Sequence, residues 1–271
     1  MKQINSLTRI AAVGSLAIVL SAGFSNAMMR LEPRDKSVQQ THSLIEDTNA
    51  DQSDRLALIV GDSNYPDAEV PLHQTAHDAT ALAVALRSKG FSVDLLANGT
   101  RAQMLAAAER LKAKVRPGST VLVYFGGYAI QSGGQNYMIP VDAKIWDEID
   151  VRHEGLSIDG LLSTLKALGA HTRLAAIDAS RRNPYERRFR SYSHGLAPVQ
   201  PSEGEVILTS AAPDIVVDDS NELASRFMTT LVRQISSSTG PLAETFDRTR
   251  VVLATASQDG QIAAPSSSLT N

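Results

Sequence analysis

The sequence predicts an α/β protein with a mainly parallel sheet, on three observations. LALIVG (56–61), TVLVYFG (120–126) and RLAAIDA (173–179) are short continuous apolar runs, the pattern of strands buried on both faces. Between such runs lie segments whose apolar residues recur at i, i+3, i+4 and i+7, which marks one face of a helix. The two kinds alternate from about residue 55 onward, the order in which helical crossovers join parallel strands.

In order, LALIVG is the first strand, and Ala79, Leu82, Ala83 and Leu86 mark one face of the helix that Gly90 stops. SVDLLA (92–97) alternates as a second strand. Thr100-x-x-Gln103 fits a capping box, and Met104, Ala108, Leu111 and Val115 follow at helical spacing. Pro117-Gly118 turns the chain into the third strand, TVLVYFG. QNYMIPVDA (135–143) reads as a short extended excursion, since Pro140 would remove a ladder bond from a central strand. Ser157 caps a helix with Ile158, Leu161, Leu162 and Leu165 inward and Gly169 at its end. RLAAIDA is the fourth buried strand and EVILTSAA (205–212) the fifth. Leu223, Phe227 and Leu231 stripe another helix, and Leu242 to Thr255 form one more. The chain has no internal repeat.

The amino terminus has a different character. Lys2 and Arg9 flank a polar start, Ile10 to Phe24 is apolar, and Ser25-Asn26-Ala27 places small residues at −3 and −1, so residues 1–27 read as a signal peptide. The apolar stretch is shorter than the roughly 20 residues that spanning requires, so a membrane is expected as a partner only if this leader is retained. Residues 28–54 carry charges, Gln, Asn and Ser with almost no apolar period and read as a flexible lead-in. The expected product is an exported, periplasmic protein. It has no cysteine, which excludes both a disulfide framework and thiol chemistry.

With 26 Lys and Arg against 29 Asp and Glu, the chain has a net charge of −3 and no basic excess with which to grip phosphates, so nucleic acid is excluded as an expected partner. No phosphate-binding Gly-x-x-x-x-Gly-Lys-Ser/Thr loop and no His/Cys ligand spacing occurs, so neither cofactor nor metal is expected.

In an open parallel sheet, chemistry gathers at the carboxyl ends of the strands. GDSNY (61–65), GGYAIQSGG (126–134) and DASRRNP (178–184) fall there. Asp78, three residues after Thr75, reads either as a carboxylate satisfying its own helix start or as a ligand-binding acid. Asp178 ends a buried strand, where an acid is costly unless paired, with Arg181 or Arg182 as candidate partners. Ser180 reads as a turn residue or as a nucleophile, and a nucleophile needs a base within hydrogen-bond reach. None of the six histidines stands at a predicted strand end; His77, beside Asp78, is the nearest candidate. Tyr128 does end a strand, but a phenol with pKa near ~10 is a weak base. LALIVGDSNY also resembles the opening block of the SGNH esterases, which would make Ser63 the nucleophile. That family's Asp-x-x-His is matched only by Asp150-Val151-Arg152-His153 in mid-chain.

Taken together, RLALIVGDSNY, HDATALAVAL, TVLVYFGGYAIQSGGQNYMIPVDA and LAAIDASRRNPY resemble, in order and spacing, segments of bacterial caspase-like peptidases, the metacaspase and orthocaspase relatives. The likeness covers residues 55–235 and extends toward the end, so 55–271 is the expected caspase-like domain, with 236–271 as a C-terminal helix and tail. It implies the caspase-hemoglobinase fold, a three-layer αβα sandwich. It implies a His–Cys dyad of a cysteine-type endopeptidase, whose His position is held here by Tyr128 and whose Cys position by Ser180. It also implies that Asp78 and Asp178 line a pocket for a substrate Arg or Lys. The expectation is therefore a pseudopeptidase that binds a basic peptide or partner protein. A Ser180-based hydrolase and a structural assembly module remain the alternatives.

Overall fold

The computed structural model describes residues 54–68, 72–179, 184–185, 195–216, 225–256 and 266–267. The expected leader, the lead-in up to residue 53, residues 180–183 and Leu223 lie outside them.

The main sheet has the order β2-β1-β3-β7-β8-β9. It comprises β1 (Arg55–Gly61), β2 (Ser92–Ala97), β3 (Thr120–Gly126), β7 (Thr172–Asp178), β8 (Glu205–Thr209) and β9 (Ser266–Ser267). Its first five strands are parallel, and β9 pairs antiparallel with β8. The fifth strand stops at Thr209 rather than running to residue 212. Ser210 donates its N–H to Ile177 at 3.0 Å, and Thr209 turns its hydroxyl onto the carbonyl of Ala211, so the chain leaves the ladder there.

Because each strand alternates faces, the continuous apolar runs feed two cores at once. Leu56, Leu58, Val60, Val121, Val123 and Phe125 pack with α2 (Arg101–Lys114) and α4 (Ile158–Ala167) on one side. Ala57, Ile59, Leu122 and Tyr124 pack on the other with α1 (His73–Ser88), α5 (Arg226–Ser237) and α6 (Leu242–Ala256). The result is three layers, helix on sheet on helix. The capping box predicted at Thr100 and Gln103 is present, and Ser157 caps α4 as expected. Among the described residues, no helix is long and apolar enough to cross a membrane.

Residues 129–157 are richer than the single extended excursion expected of 135–143. β4 (Ala129–Ser132) and β5 (Gln135–Met138) form an antiparallel hairpin across Gly133-Gly134, and β6 (Leu156–Ser157) adds to it. Both turn glycines have positive φ, 58° and 77°, which a two-residue hairpin loop requires. Pro140 lies beyond the strand, so it removes no ladder bond. A short helix, α3 (Glu148–Glu154), follows with an Asp147/Asp150 capping box.

Gly61 lets α1 close onto the sheet. A Cβ there would stand 2.6 Å from the Ala79 Cβ and 2.8 Å from the Thr75 carbonyl oxygen, both fixed to the helix. Gly61→Ala is therefore expected to lower stability by about 1–3 kcal/mol, read from the urea midpoint, as α1 is forced outward.

Candidate functional site

The carboxyl ends of β1, β3 and β7 are stitched together. Gly61 faces Gly126 and Gly126 faces Asp178 in register. Asp62 donates its N–H to Gly126 at 2.8 Å, and Gly127 donates to Asp178 at 3.3 Å. The first turn of α1 is seated on the end of β1: Leu72 N–H donates to Ser63, and the Thr75 hydroxyl donates to the Asp62 carbonyl at 2.8 Å.

Asp78 is carried to this junction by α1. The helix begins at His73, so Asp78 lies in its second turn and does not cap its own N-terminus, contrary to the simpler reading of Thr75-x-x-Asp78. Its Oδ2 instead accepts the N–H of Ser225 at 3.0 Å, and Ser225 is the N-cap of α5. The side chain is buried, and burial pushes its pKa up from 3.8 to about 6. The Ser225 N–H opposes the rise, while the charge of Asp178 adds to it. The charge of Asp178 thus reaches Asp78 across a hundred residues of sequence. Asp178, also buried, ends β7. His77 is largely exposed, with Nδ1 3.8 Å from Asp78 Oδ1.

Tyr128 follows β3 and is buried against Tyr65, the rings 4.8 Å apart and 71° between planes. The Tyr65 hydroxyl accepts the Tyr128 N–H at 3.2 Å and donates to the Ile139 carbonyl at 2.8 Å. Ser63, the alternative nucleophile, donates its hydroxyl to the Asn98 side-chain oxygen at 3.0 Å. The same oxygen accepts the N–H groups of Ser63 and Asn64. An amide oxygen takes up no proton at neutral pH, so this contact holds a turn and does not activate a nucleophile. Among the described residues, no group of three or more acidic or histidine side chains is placed to hold a metal ion.

A family model for the caspase domain matches residues 54–271, well over half of the sequence. The chain belongs to the caspase family. No curated protein matches it. Its caspase domain has the family's mainly parallel sheet flanked by helices, and the strand ends described above are where that fold gathers its chemistry.

Of the residues singled out from the sequence, the caspase domain brings Asp78 and Asp178 together electrostatically and buries Tyr128 after β3 on an aromatic neighbour. Ser180 and its neighbours Arg181 and Arg182 lie outside the described residues. Sequence reasoning missed Asp62. It is fully buried, its pKa is raised from 3.8 to about 7 by burial, and Asp142 adds to the rise. The available signal was an acid immediately after a wholly apolar strand.

These two carboxyls set a pH dependence. Each holds its proton more tightly when folded than in the unfolded chain, so unfolding releases protons and stability falls as pH rises. The Asp62 contribution is lost between about pH 4 and 7, and that of Asp78 between about pH 4 and 6. Urea titrations should find the domain more stable at pH 5 than at pH 8, with a smaller difference in Asp62→Asn.

Proposed function

We propose that this chain is an exported caspase-family pseudopeptidase that binds a basic peptide or protein segment through Asp78 and Asp178 without cleaving it. The observation that carries the reading is the buried Asp78 carboxyl, whose pKa is raised by burial and further by the charge of Asp178, itself buried at the end of β7. A guanidinium or ammonium group placed between them neutralises both and replaces the water they have lost.

The chemistry for cleavage is missing from the positions that the family motif reserves for it. Tyr128 stands where the motif has His, and Ser180 where it has Cys. A phenol in place of imidazole gives no base near neutral pH, and an alcohol in place of thiol gives almost no anion to attack a carbonyl. The surroundings of Tyr128 fit a packing role: its ring lies edge-on to Tyr65, and its main chain is tied to Ile139. Export rests on the charged start, apolar stretch and small residues ending at Ala27.

Calorimetric titration of the full chain with an Arg-containing peptide and its citrulline analogue tests the reading. The Arg peptide should bind at least tenfold more tightly, and its affinity should rise between pH 5 and 7 as Asp78 loses its proton near 6. Equal affinities, or none for either peptide, would remove the acidic pocket from the account.

A further inference from the structure

Asp62 plays no part in that reading, yet it is tightly held. It stands at the end of β1 with no exposed surface. Its Oδ1 accepts the Gly99 N–H at 2.7 Å, while among the described residues its buried Oδ2 has no hydrogen-bond partner. Its main chain is fixed on both sides, to Gly126 and to the Thr75 hydroxyl. Among the described residues, the charged group that acts on it is Asp142, which itself accepts the Arg101 N–H at 2.7 Å. The Gly99 N–H favours the anion, but burial outweighs it, and an ionised Asp62 would be a buried charge with an oxygen that has no partner among the described residues and a like charge nearby.

The backbone around Asp62 leads to Tyr128. Gly99, held by the carboxyl, accepts the Val141 N–H at 3.1 Å. Two residues earlier, the Ile139 carbonyl accepts the Tyr65 hydroxyl, and Tyr65 in turn holds the Tyr128 N–H. Ile139 N–H closes the circuit onto the Tyr128 carbonyl at 3.0 Å. Residues 98–101 and 139–142 thus form the bridge between the acid and the aromatic pair.

We propose that the Asp62 carboxyl is a proton-operated latch: protonated, it stays buried with residues 98–101 and 139–142 closed and Tyr65 seated on Tyr128, and ionised, it is hydrated as those residues open. Opening lets the carboxylate and Asp142 be hydrated. The cost of ionising Asp62, reflected in a pKa of about 7, is thereby relieved. The latch does not depend on peptide binding.

Amide hydrogen exchange on the full chain, corrected for base catalysis, tests it. At pH 7.5 the amides of Gly99, Tyr128, Ile139 and Val141 should exchange at least tenfold faster than those of Leu122 and Ala176 in the central strands. Their opening should increase about tenfold per pH unit between roughly pH 5 and 6.5 and level off above 7. In Asp62→Asn this slope should vanish while Leu122 and Ala176 stay protected. If that variant does not fold, the Asp62 carboxyl carbon resonance of the native chain is followed instead, and it should titrate in the neutral range. Exchange of the four amides in step with the central strands at every pH overturns the latch. A pH slope that persists in Asp62→Asn, or an Asp62 resonance that titrates below pH 5, does the same.

Discussion

Arg173→Ala is expected to lower the unfolding free energy by about 3–5 kcal/mol, the cost of removing one partner from a buried ion pair. The guanidinium is 2% exposed near the start of β7 and gathers the amino edge of the sheet. Nη1 donates to the Ala170 carbonyl at 2.7 Å, and Nη2 donates to the Ser202 hydroxyl and the Glu203 carbonyl. Nε lies 3.7 Å from Glu205 Oε2, which also accepts the Ser202 hydroxyl at 2.8 Å. Alanine would leave the buried Glu205 carboxylate without its guanidinium and remove the donor to the Ala170 carbonyl. Urea denaturation measures the loss. A second variant, Arg173→Met with Glu205→Leu, should recover part of it by removing the orphaned charge. Both changes lie at the opposite edge of the sheet from Asp178, so peptide affinity per folded molecule should not move.

Asp178→Asn should weaken binding of an Arg peptide about 100-fold, near 2–3 kcal/mol for a charge-assisted contact. The fold should survive, because the side chain keeps its size and the main-chain link from Gly127 to Asp178 is untouched. The same substitution carries an internal check. The charge of Asp178 helps hold the Asp78 pKa near 6, so its removal should shift the Asp78 titration downward in carboxyl resonance measurements. An unmoved Asp78 would mean that the two acids do not share a site.

The main sheet was legible because a parallel strand buried on both faces has little choice but to be an unbroken apolar run. β1, β3 and β7 fall within a residue or so of the stretches read from the sequence. The helix α3 escaped because Val151 is its only buried residue, so it carries no apolar stripe. The β4–β5 hairpin escaped because its strands are four residues each and buried without alternation, so the Gly133-Gly134 turn is flanked by no period-2 pattern. The site was legible in its members but not in its contacts. The N–H that Asp78 accepts belongs to Ser225, 147 positions away, and no spacing rule reaches that far. The perturbation of Asp62 was not legible because it comes from burial and from Asp142, eighty positions away, neither of which a local motif shows.

The proposed function requires a caspase-family site that keeps its recognition and has lost its chemistry. An assay with fluorogenic Arg and Lys substrates tests it most directly, comparing the native full chain with the double variant Tyr128→His, Ser180→Cys. The predicted result is a silent native chain and measurable cleavage after the basic residue in the double variant, abolished again by Asp178→Asn. Cleavage by the native chain that disappears in Ser180→Ala would contradict the claim and establish a working serine hydrolase in its place.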